Sequence, residues 1–186
     1  MVIVDDILAD PAAYRAAVLA KPFDDFVVGP KCFHGIQRAE DETFPAWIVG
    51  QWPHLTPTCS FFRQSPGGQR EPHYVHTDRD MGEWTAILYL NPEPAPWDGT
   101  LFWRHRPTGL LSSVAADDEA WRDEMAVWSD PAQWEPVHHV AAQCGRALIF
   151  PAPRFHSRAL LQNYGTGDEA RLVQVVFGLG SLNEVT

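Results

Sequence analysis

From residue 58 onward, proline and glycine cut the apolar sequence into runs too short for helices. Thr58–Phe62 is followed by Ser65-Pro66-Gly67-Gly68, and Trp84–Leu90 stops at Asn91-Pro92. Leu101–Arg104 follows the turn Trp97-Asp98-Gly99-Thr100, Ala147–Phe150 ends at Pro151, and Arg171–Phe177 ends at Gly178. Proline removes a backbone donor and breaks a helix interior, so short apolar runs bounded this way read as strands joined by ordered turns. The 16 prolines of the chain extend that punctuation over most of its length and point to a mainly β fold.

Helices are expected at the N-terminal side. Asp10 can cap, Pro11 suits the first helical position, and Ala12 to Ala20 is rich in helix formers before Lys21-Pro22. Tyr14, Ala17 and Val18 form one apolar stripe, as for a helix laid on a sheet. Residues 40–55, around Phe44, Trp47 and Ile48, read as a second helical or turn-rich stretch. The acidic segment 113–131, with Trp121, Met125 and Trp128 at helical spacing, is either an amphipathic helix on the sheet or a lid that recognises substrate. At 186 residues, without repeats or a linker, one domain is expected over 1–186. It divides into a helical buttress over 1–57 and a β core over 58–178.

Charge narrows the function. With 14 Lys and Arg against 24 Asp and Glu, the net charge is −10, which disfavours nucleic acid because phosphate contacts need cations. A polybasic patch and a long apolar run are both missing, so a membrane partner is not expected. Cys32, Cys59 and Cys144 are odd in number and far apart, and Met1–Asp6 lacks the basic, apolar character of a signal peptide. A reducing, cytoplasmic setting is the expectation.

The informative stretch is Glu71-Pro72-His73-Tyr74-Val75-His76-Thr77-Asp78. His76 and Asp78 are two apart, so on an extended segment their side chains leave one face and can meet one ion. Pro153-Arg154-Phe155-His156 offers a third ligand directly after a strand-like run. Two imidazoles and a carboxylate on one face of a metal form the facial triad of non-haem Fe(II) sites, with positions left for other ligands. Arg171 then opens the strand Arg171–Phe177. It is either a strand-end residue reaching water or an inward clamp on a carboxylate.

The order His76-x-Asp78, then Trp84-Thr85-Ala86-Ile87-Leu88-Tyr89-Leu90-Asn91, then Asp98-Gly99-Thr100, His156 and Arg171 resembles the 2-oxoglutarate- and Fe(II)-dependent oxygenases, nearest their prolyl-hydroxylase-like branch. The resemblance covers about residues 58–178. It implies a double-stranded β-helix, or jelly roll, with iron on His76, Asp78 and His156. It further implies that Arg171 and Tyr89 hold the far carboxylate of 2-oxoglutarate, with Thr85 as a pocket neighbour and ascorbate as a reductant. The implied reaction hydroxylates an amino-acid, peptide or small-metabolite substrate and yields succinate and carbon dioxide. Asp78 favours hydroxylation over halogenation, because related halogenases carry a small residue there.

Two departures stand out. Aligned through Glu71-Pro72, His73 would be the ligand and Val75 would fall at the carboxylate position, a broken triad; His76 and Asp78 are therefore preferred. The tyrosine that often precedes the motif in that branch has no clear match, which puts a prolyl substrate in doubt. His105, between Arg104 and Arg106, either faces substrate from a strand edge or lies solvated in a loop, and His138-His139 are expected to flank a strand. Arg154 or Arg158 is a candidate for an anionic substrate group. A non-catalytic jelly-roll or cupin-like metal- or ligand-binding protein is the rival reading, and the sequence leaves the oligomeric state open.

Overall fold

The structure is a computed structural model that describes residues 1–29, 31–69, 75–113, 130–159 and 163–182. It is mostly antiparallel β, in two sheets, with two helices. The larger sheet contains β1 (Val2–Val4), β2 (Asp24–Val28), β3 (Lys31–Arg38), β4 (Thr56–Ser65), β5 (Trp84–Tyr89), β8 (Ala147–Pro151) and β10 (Arg171–Leu179), in the order β1-β8-β5-β10-β4-β3-β2. The smaller contains β6 (Gly99–His105), β7 (Trp134–Ala141) and β9 (His156–Arg158), in the order β7-β6-β9. The architecture is the jelly roll expected from the sequence.

Two-residue alternation decides what each strand faces. On β5, Trp84, Ala86 and Leu88 pack with Phe44, Ile48, Leu172 and Val176 in the core beneath the helices. The intervening Tyr89 packs between the sheets with Phe102, Phe150 and Val173. The Phe102 and Phe150 rings meet there at 5.1 Å, edge to face, joining the small sheet to the large one. A third cluster, Val75, Trp103, Trp134 and Phe155, packs on the other side of β6.

Helix α1 (Pro11–Leu19) begins as anticipated: Asp10 accepts from Ala13 N at 2.9 Å, and Pro11 takes the first turn. Helix α2 (Thr43–Gln51) buries Phe44, Pro45 and Ile48. Residues 1–57 are nevertheless not a purely helical buttress. They add three strands, β1 at one edge and the β2–β3 hairpin at the other. Asp24-Asp25 and Gly35 interrupt the apolar pattern of that hairpin, which hid it from a reading based on alternation.

His138 and His139 lie inside β7 and do not flank a strand. Pro136 sits in the same strand, opposite Trp103, where the β6–β7 register shifts. β7 is an edge strand, where a proline and a bulge are tolerated. Most of the 113–131 segment, residues 114–129, lies outside the described residues. Among the described residues no helix is long and apolar enough to cross a membrane.

Candidate metal centre

The site begins with backbone pairing. His76 and His156 form an antiparallel bridge in which each N–H donates to the other's carbonyl at 2.9 Å. Two residues on, Asp78 N donates to Ala152 O at 2.9 Å, so the His76-x-Asp78 segment is tied to the loop that leads into β9. The two imidazole rings end 4.3 Å apart. His156 Nε2 is 3.2 Å from Asp78 Oδ2, and His76 Nε2 is 3.8 Å from Oδ1. One ligand atom from each of the three residues falls within 4.8 Å of the other two.

Surrounding groups fix these side chains. His156 Nδ1 is 2.9 Å from Arg154 O; an N–H donated there turns Nε2 towards His76 and Asp78, where a bound cation would take the place of an Nε2 proton. The Phe150 ring stands edge-on to that imidazole at 4.7 Å. Thr85, on the inward face of β5, donates from Oγ1 to Asp78 Oδ2 at 2.9 Å. Burial on its own would raise the Asp78 pKa, but the His156 charge and hydrogen bond, His76 and the Thr85 hydroxyl hold it at about 2. A carboxylate kept anionic between two imidazoles suits a divalent cation, and the His₂–carboxylate donor set is that of non-haem iron. His76, Asp78 and His156 therefore fit a metal, with Thr85 and the Arg154 carbonyl orienting the ligands.

The three residues open onto a cavity of about 1180 Å³, also lined by Thr85, Thr100 and Arg171. Arg171 is buried inside the barrel and does not reach out to water. Its Nε donates to Asp98 Oδ1 at 2.8 Å. Among the described residues its two Nη groups have no partner, and the residue lines the cavity. Asp98 has two further donors: Gly99 N donates to Oδ1 at 2.6 Å and the Tyr164 hydroxyl to Oδ2 at 2.7 Å. Burial disfavours the Arg171 cation, but Asp98 overcomes this and raises its pKa.

Tyr89 stands behind the cavity wall. Its hydroxyl is 2.7 Å from Thr100 Oγ1, and Thr100 is the residue that reaches the lining. Burial pushes the Tyr89 pKa up to about 12. His73, the alternative ligand, lies outside the described residues. Arg158, two residues beyond His156, also lines the cavity, whereas the Arg154 guanidinium lies 4.9 Å over the Phe102 ring. His105 is buried, its Nδ1 2.9 Å from Thr108 Oγ1 and its ring against Trp134. Sequence reasoning placed Asp98 in a turn but missed its pairing with Arg171. The available signal was an aspartate directly before a glycine whose φ of 144° no other residue adopts readily.

A protein-family model described as "Family of unknown function (DUF6445)" matches residues 64–171. The chain belongs to the DUF6445 family. The DUF6445 match contains His76, Asp78 and His156 and ends on Arg171. No curated protein matches the chain. Solved structures share the fold. The non-haem α-ketoglutarate-dependent carbocyclase SnoK from nogalamycin biosynthesis aligns at TM-score 0.58 with 16% identity, covering 94% of this chain and 77% of that one. HygX from Streptomyces hygroscopicus with iron bound aligns at 0.55 with 11% identity, over 94% and 80%. A Pseudomonas putida prolyl-4-hydroxylase aligns at 0.51 with 18% identity, over 95% and 91%. At these identities the likeness is one of fold, and it is the fold on which the sequence resemblance also converged.

Proposed function

We propose that this DUF6445 protein is an Fe(II)- and 2-oxoglutarate-dependent dioxygenase that hydroxylates an amino-acid, peptide or small-metabolite substrate. The observation that carries the reading is the meeting of His76, Asp78 and His156 at a cavity that Arg171 also lines. When bound, iron and 2-oxoglutarate supply the oxidising chemistry, in which dioxygen is reduced and the co-substrate leaves as succinate and carbon dioxide.

The chain's own residues hold and orient. His76, Asp78 and His156 present two nitrogens and one carboxylate; Thr85 keeps Asp78 turned inward, and the Arg154 carbonyl keeps the His156 tautomer. The Nη groups of Arg171 offer two parallel donors to a carboxylate, the geometry at which a guanidinium is strongest. Phe150 and Phe102 pack around His156 and keep water from its buried side.

One observation favours a second reading, a metal-binding jelly roll that does not use 2-oxoglutarate: Asp98 already neutralises Arg171. Anaerobic titration with Fe(II) and then 2-oxoglutarate separates the two. The dioxygenase reading expects a weak visible charge-transfer band when both are present, and succinate once oxygen is admitted. No band and no succinate would sink it. A band that survives His76→Ala would move the first ligand to His73.

A further inference from the structure

A second group of metal-ligating side chains lies on the β2–β3 hairpin, apart from the triad. Asp25 comes from β2, and Cys32 and His34 from β3. Cys32 and His34 are two apart on one strand and so share a face. Asp25 falls at the register shift between the Asp24–Ile36 and Phe26–Phe33 pairs, and its side chain meets His34 there. His34 Nδ1 is 2.9 Å from Asp25 Oδ1 and 3.7 Å from Cys32 Sγ, and the three ligand atoms all lie within 4.8 Å of one another. A tetrahedral zinc with bonds of about 2.0 Å to nitrogen and about 2.3 Å to sulfur sets those atoms about 3.5 Å apart.

We infer that Asp25, Cys32 and His34 form a binding site for a thiophilic divalent cation of the zinc class, with a water completing the tetrahedron. One ring nitrogen carries at most one proton. If Nδ1–H is donated to Asp25, the Cys32 sulfur is left against a nitrogen with no lone pair for its S–H. If the S–H donates to Nδ1, the nitrogen faces the Asp25 carboxylate with no proton between them. A cation among the three satisfies sulfur, nitrogen and oxygen together. It does so by displacing the thiol proton to solvent, with no change in oxidation state. The donor set, one thiolate, one imidazole and one carboxylate, selects zinc over calcium or magnesium, which prefer oxygen.

The position gives the site a purpose. β2 is an edge strand that pairs with β3 alone among the described residues, and Asp25, Phe26 and Phe33 line the rim of the cavity that holds the triad. A cation bridging β2 to β3 clamps the strand that forms this rim. Because the inference concerns residues outside the triad, it stands or falls independently of the dioxygenase reading.

Cobalt(II) is the probe, added to the full-length protein after removal of metal with a chelator. The triad has no sulfur, so a thiolate-to-cobalt charge-transfer band in the near ultraviolet cannot come from it, and Cys32→Ser assigns the band to the hairpin. The expected result is such a band, removed by Zn(II) in excess of two equivalents, lost in Cys32→Ser and weakened at least tenfold in apparent affinity in His34→Ala. It persists in His156→Ala, which loses the other equivalent. A wild-type protein without the band, holding only an Asp25–His34 ion pair, would overturn the inference. So would a band that survives Cys32→Ser, since the thiolate would then be Cys59 or Cys144.

Discussion

Arg171 Nε and Asp98 Oδ1 meet at 2.8 Å with only 7% and 2% of the two side chains exposed, which makes this ion pair the deepest charged contact among the described residues. It joins the first residue of β10 to the turn before β6, and so ties the large sheet to the small one beside the cavity that Arg171 lines. The pair also aims the guanidinium. With Nε committed to Asp98, only the Nη edge is left to meet an anion.

The pair predicts strong non-additivity. Removing one partner strands a buried charge, which costs about 3–5 kcal/mol. Asp98→Ala and Arg171→Ala should each lower unfolding stability by that order, and the double variant by clearly less than their sum. Urea unfolding of the four proteins checks this. Simple addition would mean that the two charges do not depend on each other.

The same pair marks the limit of what was legible beforehand. The triad could be read because its chemistry leaves a local trace: His76 and Asp78 at a spacing of two, and a histidine after a strand. Thr85 was legible as a pocket neighbour because period two puts it on the face of Tyr89. The Asp98–Arg171 contact spans 73 residues, and charge pairing has no period that would reveal it. The N-terminal strands were hidden because Asp24-Asp25 and Gly35 break their alternation, and β7 because Pro136 sits in it. Tyr89 kept its expected strand but gave its hydroxyl to Thr100, a choice that packing between the sheets makes.

Tyr89 predicts an alkaline limit to stability. Its pKa rises from 10.0 to about 12 on folding, first through burial. A raised pKa contributes stability that is full below pH 10 and lost as pH climbs towards 12, here about 2–3 kcal/mol. Tyr89→Phe should therefore flatten the decline between those pH values, at a cost of about 1 kcal/mol at neutral pH for the hydrogen bond to Thr100. Unfolding measured at pH 8 and pH 11 tests it; an unchanged alkaline slope would contradict it.

On the dioxygenase reading, Thr85 acts on metal affinity through Asp78. It touches the carboxylate and none of the imidazoles in the hydrogen bonds seen here. Removing an outer partner of a ligand typically costs about 10–100-fold in metal binding. Thr85→Val preserves the shape of the side chain and removes the donor. The expected outcome is Fe(II) binding weakened within that range, read by anaerobic titration, with the fold intact by circular dichroism. Wild-type affinity would mean that Asp78 is held by the bridge and the Ala152 contact alone.

Gly99 carries the remaining prediction, because it determines where Asp98 points. Its φ is 144°, and an added Cβ would come within 2.0 Å of the Val140 carbonyl oxygen, a backbone atom in the paired strand β7 that cannot step aside. Its own N–H also donates to Asp98 Oδ1, so any shift at residue 99 moves the acceptor of Arg171. Gly99→Ala should cost about 3 kcal/mol or more, as strain in a left-handed backbone adds to the clash. On the dioxygenase reading it should also weaken 2-oxoglutarate more than Fe(II), since the triad does not touch this turn. Thermal unfolding and separate titrations of metal and co-substrate resolve the two effects, and a variant losing Fe(II) and 2-oxoglutarate equally would show that the Asp98 turn supports the whole barrel and not the Arg171 end of it.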